Sequence, residues 1–262
     1  MTVVDGVNFL PDFQAAQTLA SRGETLGEED ERSITDLLIE QIEFADVLLI
    51  SKIDLISRAE REELSAILRR LNTRARIVPM SMGAVPLGAI LNTGLFDFER
   101  AAESPGWLKE LRGEHVPETE EYGIASSAYR ARRPFHPQRF FDFLSCEWSN
   151  GRLLRSKGFF WLASKYQEAG SWSQAGGLMR HGLAGRWWRF VPKSQWPQDE
   201  DELKGIIRQW DKASGDCRQE LVFIGQHIDF ARLHAELDAC LLSDAEMAAG
   251  VETWLQLPDP FG

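Results

Sequence analysis

Residues 45–54 read ADVLLISKID, a short apolar run that ends in the tetrapeptide Ser-Lys-Ile-Asp. A run of this length and apolarity predicts a strand over residues 45–50 that is buried on both faces. Apolar residues at helical spacing predict helices over residues 35–44 and 57–71 on either side of it, and residues 75–80 predict another buried strand. This order of strands and helices is typical of a parallel sheet, whose ligands bind beyond the carboxyl ends of the strands.

The start of the chain predicts one more strand, and the second helix carries its own start signal. Residues 2–4 are a β-branched run that ends at Asp5. Ser57 and Glu60 have the spacing of a capping box at the start of the helix over residues 57–71. The first hundred residues therefore predict an α/β fold, with a buried helical stripe of four apolar residues: Leu64, Ile67, Leu68 and Leu71.

The second half of the chain has a different character. Proline, glycine and charge interrupt residues 101–121, which we interpret as a linker between two domains. Aromatic, alternating segments beyond it predict strands over residues 123–130, 154–164, 178–191 and 219–224, with helices over residues 137–148, 199–211 and 229–242. Long strands mixed with helices predict an α+β domain with an antiparallel sheet. The predicted organisation is a first domain, the linker, a second domain and a tail: residues 1–100, 101–121, 122–245 and 246–262.

The composition excludes several classes of function. The 262 residues contain 40 acidic and 29 basic side chains, and the net charge of −11 repels phosphate backbones and anionic lipids. We therefore expect no nucleic-acid partner and no membrane partner. No apolar run approaches the roughly 18 residues of a membrane span, and the start MTVVDGVNFL does not resemble a signal peptide, so a cytoplasmic location is expected. The cysteines lack a CxxC pair, which predicts buried thiols rather than disulfides: Cys146, Cys217 and Cys240.

The tetrapeptide at residues 51–54 is the most informative motif. Proteins that bind guanine nucleotides carry NKxD at such a strand end, where the Asp accepts two hydrogen bonds from guanine and the Lys stem packs along the purine. By that pattern Lys52 and Asp54 contact guanine, while Ser51, in the place of Asn, makes fewer bracing hydrogen bonds. A plain loop in which Lys52 and Asp54 only cap the next helix explains the same residues.

Two other strand ends fall at the same predicted edge of the sheet. Asp5 would lie near a nucleotide site, either supporting the residues that contact the nucleotide or acting as a turn or capping carboxylate. Ser81 and Gly83 follow residues 75–80, where GTPases place a loop that touches the guanine oxygen, although an ordinary turn has the same appearance. The sequence therefore predicts a guanine site formed by Ser51, Lys52, Asp54 and Ser81.

Longer stretches carry a resemblance to a known family. RPFHPQRF at residues 133–140, SKGFFWLAS at 156–164 and LVFIG at 221–225, together with residues 22–55, resemble the CobW-like P-loop GTPases, a metallochaperone family. The zinc-responsive branch is the most similar, and the resemblance covers practically the whole chain. It implies a partial P-loop GTPase domain followed by a CobW carboxyl-terminal domain. It also implies GTP or GDP, Mg²⁺ and Zn²⁺ as ligands, GTP hydrolysis, and metal transfer to a client metalloprotein.

The same resemblance shows what the chain lacks. The family carries a GxxGxGKT phosphate loop and a CxCC metal motif ahead of the strand that here starts at Thr2, and this sequence contains neither CxCC nor any Gly-Lys dipeptide. Phosphoryl transfer depends on that loop. We therefore expect an amino-terminally truncated member that does not hydrolyse GTP alone, and we predict no catalytic residue in it. The open alternatives are a non-enzymatic module that docks a client or a full-length GTPase, and a protein whose missing elements come from another polypeptide.

Several other side chains are candidates with competing explanations. His115 and Glu118 are weak candidate zinc ligands, because a solvated acidic linker explains them better. An exposed apolar edge and self-association are expected from a sheet without its central strands.

A basic cluster could face the acidic first half or a partner, or guard a strand edge: Arg130, Arg132, Arg133 and Arg139. Three tryptophans could form an interaction surface: Trp172, Trp187 and Trp188.

Overall fold

Three short parallel strands form the sheet of the first part of the protein. The computed structural model describes three ranges of the chain: 1–14, 34–96 and 121–262. The strands pair in chain order: β1 (Thr2–Asp5), β2 (Val47–Ser51) and β3 (Arg76–Pro79). Val4 pairs with Ile50, and Ile50 pairs with Pro79, so the three strands end at one edge. The predicted parallel α/β sheet is confirmed.

Helices connect these strands and cover one face of the sheet. They are α1 (Phe9–Gln14), α2 (Ile34–Glu43) and α3 (Arg58–Leu71). The predicted capping box is present at the start of α3, because the Ser57 hydroxyl accepts from the Glu60 N–H and the Glu60 carboxylate accepts from the Ser57 N–H. The predicted apolar stripe is buried: Leu64, Ile67, Leu68 and Leu71.

The second part of the protein contains a five-stranded antiparallel sheet, which confirms the predicted α+β arrangement. Its strands are β4 (Ile124–Ala131), β5 (Arg152–Phe160), β6 (Glu168–Ala175), β7 (Leu178–Arg186) and β8 (Gln219–Gln226), in the order β4-β8-β5-β6-β7. The sequence reading omits β6. The segment predicted as one strand over residues 178–191 stops at Arg186, and a 3-10 turn, Trp188–Phe190, follows.

Helices of the second part lie around this sheet. They are α4 (Pro137–Ser145), α5 (Glu200–Arg208), α6 (Phe230–Cys240), α7 (Asp244–Ala249) and α8 (Val251–Trp254). One face of the sheet packs against α4 and α6 through Phe140, Leu233 and Leu237. The end of the chain also packs inward, with the Phe261 ring 5.9 Å from Phe140 between ring centroids. Among the described residues, no helix has the length and apolarity that crossing a bilayer requires.

One apolar cluster joins the two sheets. It contains Val4 and Leu48 of the parallel sheet and Leu154 and Val222 of the antiparallel sheet. Buried residues of α2 and α3 belong to the same cluster: Ile39, Ile42, Leu64, Ile67, Leu68 and Leu71. The helices therefore lie between the sheets, and each part of the protein covers apolar surface of the other.

A buried ion pair crosses this shared core. The Nε of Arg155 on β5 lies 3.2 Å from Oε1 of Glu43 at the end of α2, and both side chains are only 3% exposed. Arg155 also donates to the Ser173 hydroxyl at 2.9 Å and to the Gln174 carbonyl at 3.1 Å. Because an unpaired buried charge is strongly unfavourable, this contact fixes α2 against the second sheet.

The structure corrects several predictions about surface residues. The basic cluster does not form a free patch, because Arg139 binds Glu246 at 2.8 Å and Arg133 binds Asp244 at 2.6 Å, while Arg132 donates to backbone carbonyls.

Trp172 and Trp187 are buried and contribute to the core rather than to an interaction surface. Cys146 is exposed, whereas the other two thiols are buried as predicted: Cys217 and Cys240. The predicted linker lies almost entirely outside the described residues.

Candidate functional site

The carboxyl ends of the three parallel strands bring the predicted site residues together. The Gly6 N–H donates to the Ser51 carbonyl at 3.1 Å, which fixes the end of β1 against the end of β2. The Met80 N–H donates to the Ile50 carbonyl at 2.8 Å and fixes the segment after β3 in the same way. Asp5, the tetrapeptide 51–54 and Ser81 therefore occupy one edge of the sheet.

Ser51 is directed into the sheet rather than outward. Its hydroxyl donates to the Val4 carbonyl at 3.1 Å, and its side chain is half-buried. The interaction braces β1 against β2 at the point where the loop begins.

Lys52 adopts an unusual backbone conformation and a fixed side-chain position. Its φ of 56° and ψ of 32° place it in the left-handed region, which non-glycine residues rarely adopt outside tight turns and functional sites. Its ammonium lies 2.7 Å from Oδ2 of Asp5. The lysine stem is therefore held across the edge between β1 and β2.

Asp5 closes a turn, as one of the two readings of the sequence expected, and it also contacts Lys52. It closes a turn by accepting from the Val7 and Asn8 N–H groups at 2.9 and 3.1 Å, and it pairs with Lys52. Burial is the largest single influence on the pKa of Asp5 and raises it. The hydrogen bonds from Lys52, Asn8 and Val7 outweigh burial together, so the pKa of Asp5 lies below its ordinary value.

Asp54 and Ser81 form the other half of the edge. Asp54 is exposed in a 3-10 turn, Ile53–Leu55, and its Oδ1 accepts from the Ser81 hydroxyl at 2.7 Å. Its Oδ2 has no hydrogen-bond partner in the described part of the chain. Gly83 follows with a φ of 76° in a tight turn that brings Ser81 back towards Ala84. A carboxylate held on one oxygen and open on the other can accept further hydrogen bonds from a ligand.

Gly6 is a site residue that the sequence reading did not single out. A Cβ on Gly6 would lie 2.6 Å from the Ser51 carbonyl oxygen, closer than any side chain tolerates. Only glycine therefore permits the hydrogen bond that joins β1 to β2 at this edge. The signal was the Asp-Gly dipeptide directly after a β-branched strand.

The two candidate metal ligands predicted from the sequence cannot be placed in a site. His115 and Glu118 lie outside the ranges that the structure describes. Within those ranges, no group of three or more His, Cys, Asp or Glu side chains could hold a metal ion. His136 instead caps α4 by accepting from the Arg139 N–H at 3.4 Å, and His234 lies 3.1 Å from the Ser127 hydroxyl.

Comparisons with known proteins match both parts of the chain. The family described as CobW/HypB/UreG, nucleotide-binding domain matches residues 1–79, and the Cobalamin synthesis protein cobW C-terminal domain matches residues 124–241. The chain therefore combines a CobW/HypB/UreG nucleotide-binding domain with a CobW C-terminal domain. Of the edge residues, Asp5 and the tetrapeptide 51–54 lie within the nucleotide-binding match, and Ser81 lies just beyond it.

The names of individual relatives refer to zinc, and some also refer to a GTPase. The chain is 42% identical to the Zinc-regulated GTPase metalloprotein activator 1 of Dictyostelium discoideum, over 99% of this chain and 55% of that protein. It is 28% identical to a zinc chaperone of Mycobacterium tuberculosis, over 100% of this chain and 60% of that protein. The Zn(II)-bound YjiA GTPase from E. coli aligns with 92% of this chain and 60% of its own, at 17% identity and a TM-score of 0.36. The chain thus spans little more than half the length of these relatives.

Proposed function

We propose that this chain forms the guanine-recognising part of a zinc-handling GTPase of the CobW family. The observation that carries the proposal is the exposed Asp54 carboxylate, fixed on one oxygen by Ser81 and open on the other. It lies beside Lys52 at the carboxyl edge of a parallel sheet, where nucleotides bind in folds of this class. The names of the relatives from Dictyostelium and Mycobacterium support the assignment to zinc and GTP.

In this proposal each edge residue has a distinct task. Asp54 accepts hydrogen bonds from the two N–H donors of guanine, and the stem of Lys52 packs along the purine. Ser81 orients Asp54, and Ser51 braces the strand ends. Asp5 holds Lys52 in place without itself contacting the guanine. Adenine lacks the donor pair, so a nucleotide with adenine leaves the acceptor unpaired, at a cost of about 1–3 kcal/mol.

We propose further that these 262 residues do not hydrolyse GTP by themselves. Phosphoryl transfer requires converging N–H groups, a phosphate-binding lysine and a hydroxyl ligand for Mg²⁺, which a Gly-Lys-containing loop supplies. The sequence contains no Gly-Lys dipeptide. Turnover of GTP by this polypeptide alone, well above background and dependent on Mg²⁺, would contradict this part of the proposal.

We propose that zinc is the cargo, which the whole protein transfers to a client metalloprotein. The described residues do not offer a zinc centre, so we assign no zinc ligand among them. Transfer to a client is supported by the name of the Dictyostelium relative, a metalloprotein activator. Zinc binding and transfer are therefore proposed for the whole protein, in which this chain supplies nucleotide recognition.

The direct test is a titration of the purified chain with fluorescent analogues of GDP and ADP. We expect GDP to bind about tenfold more tightly than ADP, since one unpaired acceptor accounts for a factor of this size. Asp54→Asn should remove the preference. Asp46→Asn is the matched control, because Asp46 directly precedes β2 and thus lies at the opposite edge of the sheet. Equal binding of the two analogues by the unmodified chain would refute the guanine site.

A further inference from the structure

A second concave site lies beside α3, apart from the edge residues described above. It is a pocket of about 540 Å³ whose apolar floor is formed by Ile50, Ile77 and Pro79 of the parallel sheet. None of the four predicted guanine-site residues lines it. Six of the nine residues that line it are polar or charged, which suits a charged ligand better than an apolar one.

One wall of this pocket is a basic stripe on α3. Arg58, Arg61 and Arg69 line it, together with Ser65. Their positions along the helix differ by three, four and four residues, and side chains at these spacings lie on the same helix face. We call this site the basic pocket, and define it by Arg61, Ser65 and Arg69.

Two of these arginines have no hydrogen-bonded acidic partner among the described residues. Arg58 pairs with Glu62 at 2.6 Å, and Glu62 also accepts from the Tyr122 hydroxyl at 2.9 Å, so the one acidic group that lines the pocket is already satisfied. Arg61 and Arg69 make no side-chain hydrogen bond or ion pair within the described residues, and Arg61 acts on Glu62 only through its charge, which helps to lower the pKa of that carboxyl. In a protein of net charge −11, a concave surface with two guanidinium groups that have no hydrogen-bonded acid among the described residues is a local site for anions.

The spacing of Arg61 and Arg69 selects the kind of anion. Eight residues of helix separate Arg61 from Arg69, a rise of about 12 Å at 1.5 Å per residue. One phosphate or carboxylate does not span that distance. An extended peptide rises about 3.3 Å per residue, so two carboxylates four residues apart match it. Those two side chains, and the one midway between them, point to the same side of an extended chain.

We propose that the basic pocket binds an extended acidic peptide of a partner protein. Two glutamates of the pattern Glu-x-Leu-x-Glu pair with Arg61 and Arg69, and the central apolar side chain rests on Ile77 and Pro79. The peptide needs no nucleotide in the guanine site, so this inference stands independently of the proposed function. Repulsion by the acidic remainder of the protein suppresses binding elsewhere on its surface.

The test is an NMR titration of the ¹⁵N-labelled chain with the capped peptide Gly-Glu-Ala-Leu-Ala-Glu-Gly. We expect saturable shifts of the Ser65 and Ile77 amides. The double variant Arg61→Gln, Arg69→Gln should bind at least tenfold more weakly, and Ser65→Glu, which adds a carboxylate to the pocket, should do the same. The control Lys193→Gln, Arg208→Gln removes the same charge from exposed positions outside the pocket and should bind like the unmodified chain.

Three outcomes would overturn the proposal. The first is the absence of saturable shifts, and the second is equal weakening in the control, which would indicate unspecific charge attraction. The third is competition by inorganic phosphate at the same concentration as the peptide, which would indicate a site for one anion. Amide spectra recorded without peptide show whether each variant is folded, and Ser65→Glu keeps the proposal testable if the double variant is not.

Discussion

At the scale of single residues, the contact between Lys52 and Asp5 decides the shape of the candidate site. The lysine is in a left-handed conformation, and its ammonium is held by a carboxylate 47 positions earlier in the chain. A strained residue persists where its surroundings fix it, and such positions are concentrated at ligand sites. The ion pair therefore orders a flexible side chain before any ligand arrives.

This contact predicts a measurable change in the titration of Asp5. Lys52→Met removes the charged partner, so the pKa of Asp5 should rise towards its ordinary value of 3.8. Because the folded-state pKa is lowered, the stabilisation from ionised Asp5 is present above about 3.8 and is lost as the pH falls through the folded-state value. In the variant this loss at acid pH should be smaller. The measurement is the ¹³C shift of the Asp5 carboxyl carbon against pH.

Lys193→Met is the control for this titration, since Lys193 is exposed and lies in the second part of the protein. It should leave the Asp5 curve unchanged. An identical curve in Lys52→Met would mean that the turn N–H groups of Val7 and Asn8 alone hold the carboxylate.

The site residues were predictable to different degrees. Ser51, Lys52, Asp54 and Ser81 follow apolar strands, and the parallel sheet itself brings strand ends to one edge, so their proximity followed from the pattern. Gly6 was not singled out, because its importance comes from a carbonyl on another strand. Arg133 was misread for the same reason, since its acceptor, the Leu242 carbonyl, is 109 residues away in sequence.

At the scale of elements, local signals predicted α3 and failed for β6. The helix has both a capping box and a stripe of apolar residues at helical spacing. Each signal depends on residues three or four positions apart, so it is visible in the local sequence. Strand β6, EAGSWSQA, has no β-branched residue. Its Gly170 faces the Phe160 ring, where a Cβ would approach within 2.4 Å, so the strand depends on its neighbour rather than on its own propensity. The short helix α1 contains Pro11, which hides it from helical patterns.

The contact between α2 and β5 predicts a large loss of stability. Arg155→Met leaves the buried Glu43 carboxylate without its partner, which should lower the free energy of unfolding by about 3–5 kcal/mol. Arg155→Met combined with Glu43→Leu should recover most of that loss, because no buried charge remains. Urea denaturation of the three proteins measures both effects.

The exposed pair Arg232 and Glu236 provides the comparison for this measurement. Arg232→Met should cost less than about 1 kcal/mol, as exposed pairs contribute little. A similar small cost for Arg155→Met would show that water reaches Glu43 and that the two parts of the protein separate readily.

At the scale of the whole molecule, the outer edge of β1 predicts association. Among the described residues β1 pairs only with β2, and Val3 is 51% exposed on it. Unpaired strand edges bind other strands. We expect light scattering to give a mass that rises above 29.7 kDa with concentration, and Val3→Glu to reduce that rise. Leu255→Glu, at an equally exposed position after α8, should not. A mass of 29.7 kDa at every concentration would contradict the expectation.

The shared apolar cluster also has a practical consequence for handling the protein. Residues of both sheets fill one core, so noncovalent contacts between side chains hold the two parts of the protein together. Two polypeptides that divide the sequence after residue 110 would each carry part of this shared core. The protein is thus a natural candidate for fragment complementation, in which reassembly of the two pieces reports that both have been made in the same cell.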